Sequence, residues 1–253
     1  MRNANITGKL LLASLVVSLF PGCITVTNVK DVTADRGAYM ATKFDPGTLS
    51  PVLAKKVPQD ASGKGFGHLT ITMEAKSEGS DGKTESWINT VTFVDAGHGF
   101  VQRMTESSNN DIPYNLAYSL TYKGIMDLRW QTVPLRGTVA GPLNEVKDTT
   151  RFDSLPETVG KEFVVDYLIA PDYQIANFRA YQKSCKATRA LEAGSLHAKL
   201  PGPALELECQ ILMNNVVQSR SKWVLIQQYG LAIQIENVDS SNKSTVRVAD
   251  VKD

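Results

Sequence analysis

Histidine and cysteine are scarce in this chain, with three of each among 253 residues. No two cysteines stand in the close Cys-x-x-Cys spacing of a redox motif or a structural zinc site. An excess of charge of one sign is also lacking: 27 basic residues face 26 acidic ones and no basic stripe is present, which excludes electrostatic binding of nucleic acid. After residue 20 no apolar run reaches the 18 or so residues of a membrane-spanning helix. The chain carries no Gly-x-Ser-x-Gly elbow and no Ser-x-x-Lys in a strand-turn-helix setting. Gly63-Lys-Gly-Phe-Gly67 is rich in glycine but matches neither a phosphate loop nor a dinucleotide fingerprint, because a strand pattern follows it rather than a helix.

What is present begins at the N-terminus. Arg2 and Lys9 precede the apolar run Leu10–Phe20, and Pro21-Gly22-Cys23 follows. About 11 apolar residues are too few to cross a bilayer as a helix but suit the core of a secretory signal peptide over residues 1–22. Phe20-Pro21-Gly22-Cys23 resembles the lipobox of bacterial lipoproteins, with Phe20 standing where that class usually has leucine. The resemblance covers residues 1–23 alone. It implies a diacylglycerated, palmitate-bearing Cys23 and cleavage before it, and Ile24 in place of aspartate implies the outer membrane, facing the periplasm. Ordinary secretion or a soluble periplasmic form is the alternative. Three cysteines are an odd number for an oxidising compartment; acylation of Cys23 leaves Cys185 and Cys209 as an even pair.

Residues 23–64 are rich in Thr, Asp, Lys, Pro and Gly and read as a lipidated N-terminus and tether, with one short helix around Leu49–Lys56. The alternative is a first element packed on the domain. From residue 65 the period becomes two. Leu69, Ile71, Met73 and Ala75 share one face, and a Gly-Ser-Asp-Gly cluster turns the chain toward Glu85–Val94. Further strands are expected at Gly99–Thr105, Tyr114–Tyr122, Ile125–Val133 and Glu162–Ile169, and a loop at Asn144–Glu157. Leu205, Leu207, Cys209, Ile211 and Met213 alternate with Glu206, Glu208 and Gln210. Asn214-Asn215 then supplies a positive-φ turn into Val216–Tyr229 and Leu231–Val238. The expectation is one mainly β domain over residues 65–239, an antiparallel sandwich or partly closed barrel of about 8–11 strands with few helices. Residues 240–253 form a polar tail.

Cys185 and Cys209 flank the Pro201-Gly-Pro203 turn, which returns the chain antiparallel and favours a structural disulfide; a redox pair or metal ligands are the alternatives. His68, His98 and Asp95 form a weak metal candidate beside turn glycines, with His197 far off in sequence. Glu206 and Glu208 share a face about 7 Å apart, the arrangement of an ordinary solvated strand more than of a glycosidase pair. Trp87, Trp130 and Trp223 fill a core or line a sugar or lipid groove.

No cofactor is implied. The leading expectation is a non-enzymatic binding or assembly lipoprotein, held to the membrane by its lipid and recruiting an envelope protein or wall component. A carrier of an apolar ligand, such as an acyl chain, within a β cavity is the second reading, and a metal-dependent enzyme the third. Cys23→Ser is expected to abolish labelling with radioactive palmitate and to release the protein from membranes; persistent labelling would refute acylation there.

Overall fold

The computed structural model describes residues 26–59 and 65–252. The signal segment 1–22 and Cys23 lie outside the described residues. Twelve antiparallel strands follow one another: β1 (His68–Gly79), β2 (Thr84–Asp95), β3 (Phe100–Asn109), β4 (Ile112–Tyr122), β5 (Met126–Pro134), β6 (Asn144–Phe152), β7 (Glu162–Pro171), β8 (Arg179–Glu192), β9 (Pro203–Met213), β10 (Val216–Ile226), β11 (Leu231–Asp239) and β12 (Asn242–Lys252). Each pairs with its sequence neighbours, and β12 returns to β1 to close a barrel. Asn110-Asp111 and Asn214-Asn215 both adopt positive φ at two-residue turns, whose handedness matches the twist of the strands they join. The expectation of a mainly β antiparallel fold therefore holds, and the barrel is fully closed.

Closure is uneven. β5 and β6 meet only at Arg129–Glu145 and Trp130–Asn144, and β11 meets β12 only over Glu236–Val238. The wall is thus two curved six-stranded sheets, β12-β1-β2-β3-β4-β5 and β6 to β11, joined along two short seams. That geometry combines the two architectures the alternation allowed.

Three stretches depart from expectation. Asn144–Phe152 is strand β6 rather than loop, its period broken by register shifts after Val146 and Thr149. Arg179–Glu192 is strand β8, whose buried face carries Lys183, Cys185 and Ala187 and so lacks a run of large apolar residues. Asn242–Lys252 is β12 and not a fraying tail: it pairs with β1 from Thr70–Lys252 to Gly79–Asn242 and buries Val248 and Val251. Its polar residues belong to the outer face of an otherwise ordinary strand.

The stretch read as a tether is also corrected within its described part. It forms α1 (Val29–Ala34), α2 (Arg36–Lys43) and α3 (Pro51–Lys56), the last close to the short helix expected there. Asp35 caps α2 by accepting from Ala38 N, and Ser50 caps α3 by accepting from Leu53 N, with Pro51 in the first turn. Helices this short are not stable alone, so packing holds them. Val32, Phe44, Leu53 and Val57 are buried in the larger core cluster, and Phe44 stacks on Tyr118 of β4 with ring centroids 5.7 Å apart. Burial of each such side chain contributes about 1.5–3 kcal/mol. Gln102 donates to Phe44 O, Arg36 pairs with Glu106, and Lys56 Nζ reaches Asp148 Oδ1 at 2.6 Å. The helices thereby run from β3 across to β6 and cover the seam between β5 and β6.

Cys185 and Cys209 face each other in register between β8 and β9 and are disulfide-bonded, 24 residues apart. Both are buried, which makes the bond a staple of the second sheet. Its reduction in the purified domain is expected to lower stability by roughly 3 kcal/mol, the loop-closure value for this separation. Thermal melts with and without reductant measure it, and an unchanged melting temperature would count against a structural role.

Candidate functional site

The site is organised by the turn between β4 and β5, Lys123–Ile125, which folds into the barrel. Lys123 O accepts from Ala232 N on β11 at 2.8 Å. Gly124 sits at φ +77, and a Cβ there would lie 2.6 Å from Ala232 O, so the approach requires glycine. Two further carbonyls of the turn are met by long cationic side chains. Arg103 Nη1 donates to Gly124 O at 3.2 Å, and Lys183 Nζ donates to Ile125 O.

Above this turn is a chamber of about 370 Å³. Arg103 on β3, Asp127 and Trp130 on β5, Tyr167 on β7, Tyr181 and Lys183 on β8, and Trp223 on β10 line it together with Ile125, Ile169, Ile211 and Gln234. Strands β3 and β5 belong to one sheet and β7 to β11 to the other, so these side chains converge across the lumen. The helices lie on the opposite face: Gln102, which holds Phe44, alternates with Arg103, which faces the chamber.

A second chamber of about 210 Å³ adjoins the first and shares Arg103, Trp223 and Gln234 with it. Its other walls are more apolar, with Met73, Val91, Phe93 and Ile233. Asn89 and Met73 there are followed two residues along their strands by Trp87 and Ala75, which line a hollow of about 700 Å³ near the β3–β4 turn. The same faces thus lead from the inner chambers toward the end of the barrel where β1 turns into β2.

The electrostatics of the inner chamber are asymmetric. Arg103 Nη2 and Asp127 Oδ1 form an ion pair of 2.7 Å, which balances both charges. Lys183 is 5% exposed and has no carboxylate within ion-pair distance among the described residues. Its ammonium lies 4.5 Å from the Trp223 ring centroid, a cation–π contact, and Trp223 Nε1 is itself oriented by donating to Ser221 Oγ at 2.8 Å. Burial pushes the Lys183 pKa down to about 8; Asp127 acts weakly upward and Arg103 downward. Tyr167 stacks on Tyr181 at 5.9 Å, and burial raises its pKa, so it stays a neutral phenol.

The residues singled out in the sequence fall elsewhere or take structural parts. His68 starts β1 opposite Val94, and His98 occupies a tight turn at φ +55. Asp95 Oδ1 accepts from Gly97 N at 2.8 Å in the same turn. Among the described residues no three His, Cys, Asp or Glu side chains are grouped to hold a metal ion. His197 lies in the β8–β9 loop, where its Nδ1 accepts from Lys199 N. Glu206 pairs with Arg189 at 2.7 Å, and Glu208 lies 3.7 Å from Lys222, as on a solvated face. Trp223 is buried in the core and also borders the inner chamber, which Trp130 lines as well, and Trp87 borders the outer hollow. Lys183, Arg103 and Asp127 were not anticipated. The signal for Lys183 was its parity, a lone cation two residues before a buried cysteine.

No family model and no curated protein matches this chain. Among solved structures it is similar to a DUF1329 family protein from Desulfovibrio piger ATCC 29098, with 7% identity over 76% of this chain and 86% of that one and a TM-score of 0.41. A likeness of that size carries no argument about this protein.

A buried ammonium without a counter-ion costs stability. Below pH 8 the folded barrel carries that charge, while the unfolded chain keeps its proton up to the ordinary lysine value of 10.5. The unfolded state therefore binds more protons between about pH 8 and 10.5, and the stability contributed at this position rises with pH across that window. Lys183→Met removes both the buried charge and the donor to Ile125 O, so the expected signature is a change with pH: the stability of wild type relative to this variant rises by on the order of 1–3 kcal/mol between pH 8 and 10. Denaturant melts of both forms from pH 6 to 10 measure it; a constant difference would contradict a charged Lys183.

Proposed function

We propose that this chain is an exported envelope lipoprotein, tethered through Cys23, whose barrel binds a small ligand in its lumen without transforming it. The observation that carries the binding role is the chamber itself. It is about 370 Å³, within the size range of ligand sites, and its aromatic walls surround a few convergent polar groups. The tether is supported by the leader and by the pairing of Cys185 with Cys209, which leaves Cys23 as the odd thiol. A carrier role was the second reading of the sequence and is favoured here over pure assembly. Leu205 and Leu207 are packed solid, but Ile233 borders the adjoining chamber, and the lumen is not filled.

Binding of the neutral fluorophore N-phenylnaphthylamine, followed by energy transfer from tryptophan, tests the reading. Ile211→Trp, which fills the chamber from β9, is expected to weaken binding by roughly tenfold or more, as loss of a well-packed pocket does. If the fluorophore binds equally to that variant, the lumen is not the site. An assembly role then takes its place, favoured by the exposed hollow around Trp87.

A further inference from the structure

The lumen contains more positive charge than its own residues balance, and this points to a class of ligand. Arg103 is matched by Asp127, the carboxylate bordering the chamber. Lys183 is matched by none among the described residues. An ammonium has three N–H donors; one is used on Ile125 O, and the Trp223 ring covers a second side. The remaining titratable groups on the chamber wall are Tyr167 and Tyr181, whose hydroxyls offer hydrogen bonds. Ser119, in register with both Arg103 and Trp130, adds a buried hydroxyl that has no hydrogen-bond partner among the described residues. Beside these polar groups the second chamber offers the apolar surfaces of Met73, Val91, Phe93 and Ile233.

We infer that the lumen takes an amphiphile carrying one anionic group, which meets Lys183 while its apolar chain lies along the adjoining chamber. The inference rests on the reading of the lumen as a ligand site. A wholly apolar occupant would displace water from around Lys183 and leave its charge more costly still. A polyanion would find one unbalanced cation where several are needed. A single anion offsets the burial cost of the ammonium through a charge-assisted hydrogen bond, the same cost by which burial lowers the Lys183 pKa. A carboxylate and a phosphate monoester share this chemistry.

The test compares dansyl-undecanoic acid with its methyl ester on the purified full chain. The acid is expected to bind wild type on the order of tenfold or more tightly than the ester, the usual span of one charged hydrogen bond. Lys183→Met is expected to abolish the preference for the acid over the ester, and Lys183→Arg to retain it. Displacement of the acid by lysophosphatidate at equal concentration assigns the phosphate class, and failure of displacement assigns carboxylates. Equal binding of acid and ester to wild type overturns the anionic inference and leaves the lumen reading intact. Binding of neither overturns both. The wild-type comparison needs no variant, so poor folding of Lys183→Met leaves the outcome decidable.

Discussion

A reverse turn pushed into a barrel brings backbone carbonyls into a space with few donors, and the rest of this structure is arranged around that constraint. The carbonyls of Lys123, Gly124 and Ile125 are each met from a different strand: by the backbone of Ala232 on β11, by Arg103 on β3 and by Lys183 on β8. Unsatisfied, each would cost about 1–3 kcal/mol. Meeting them ties both sheets to one turn. It also places two cations in the lumen, one with a carboxylate partner and one without. The chamber and its charge are thus by-products of a structural need that the turn imposes.

The two sheets have little else holding them together along their edges. The β5–β6 seam is covered by the helices, whose Phe44 and Lys56 reach opposite sides of it. At the β11–β12 seam the first half of β11 departs from β12 and packs instead with the inward turn and with the core formed by β1, β2 and β10. The seams are therefore closed by side-chain packing and by the turn, where ordinary ladder hydrogen bonds hold the rest of the wall.

Much of this was legible in the residues. Alternation of large apolar side chains announces β1, β9 and β11, and Asn214-Asn215 announces the turn after β9. What escaped did so where alternation was diluted. β8 places a lysine, a cysteine and an alanine on its inward side, and β6 interrupts its period with two bulges. β12 shows mostly its polar face. Of the helices, α3 was anticipated, and α1 and α2 escaped because Asp suits caps as well as linkers, Asp35 serving as a cap here. The chamber residues had no local signature at all, since Arg103, Asp127 and Lys183 come together only when the sheets meet. The disulfide, by contrast, was readable, because its two cysteines lie on consecutive antiparallel strands joined through residues 193–202.

The pairing of the last strand with the first has a temporal meaning. Glu74 and Arg247, ion-paired across β1 and β12, are 173 residues apart in the chain. Eleven hairpin pairings are local and form early, while this one must wait for the whole chain and for the entropy of closing its largest loop. Until then the edges of β1 and β12 stand open, each a template for a neighbouring chain. Strand order therefore makes the interval before closure the time of greatest exposure to aggregation.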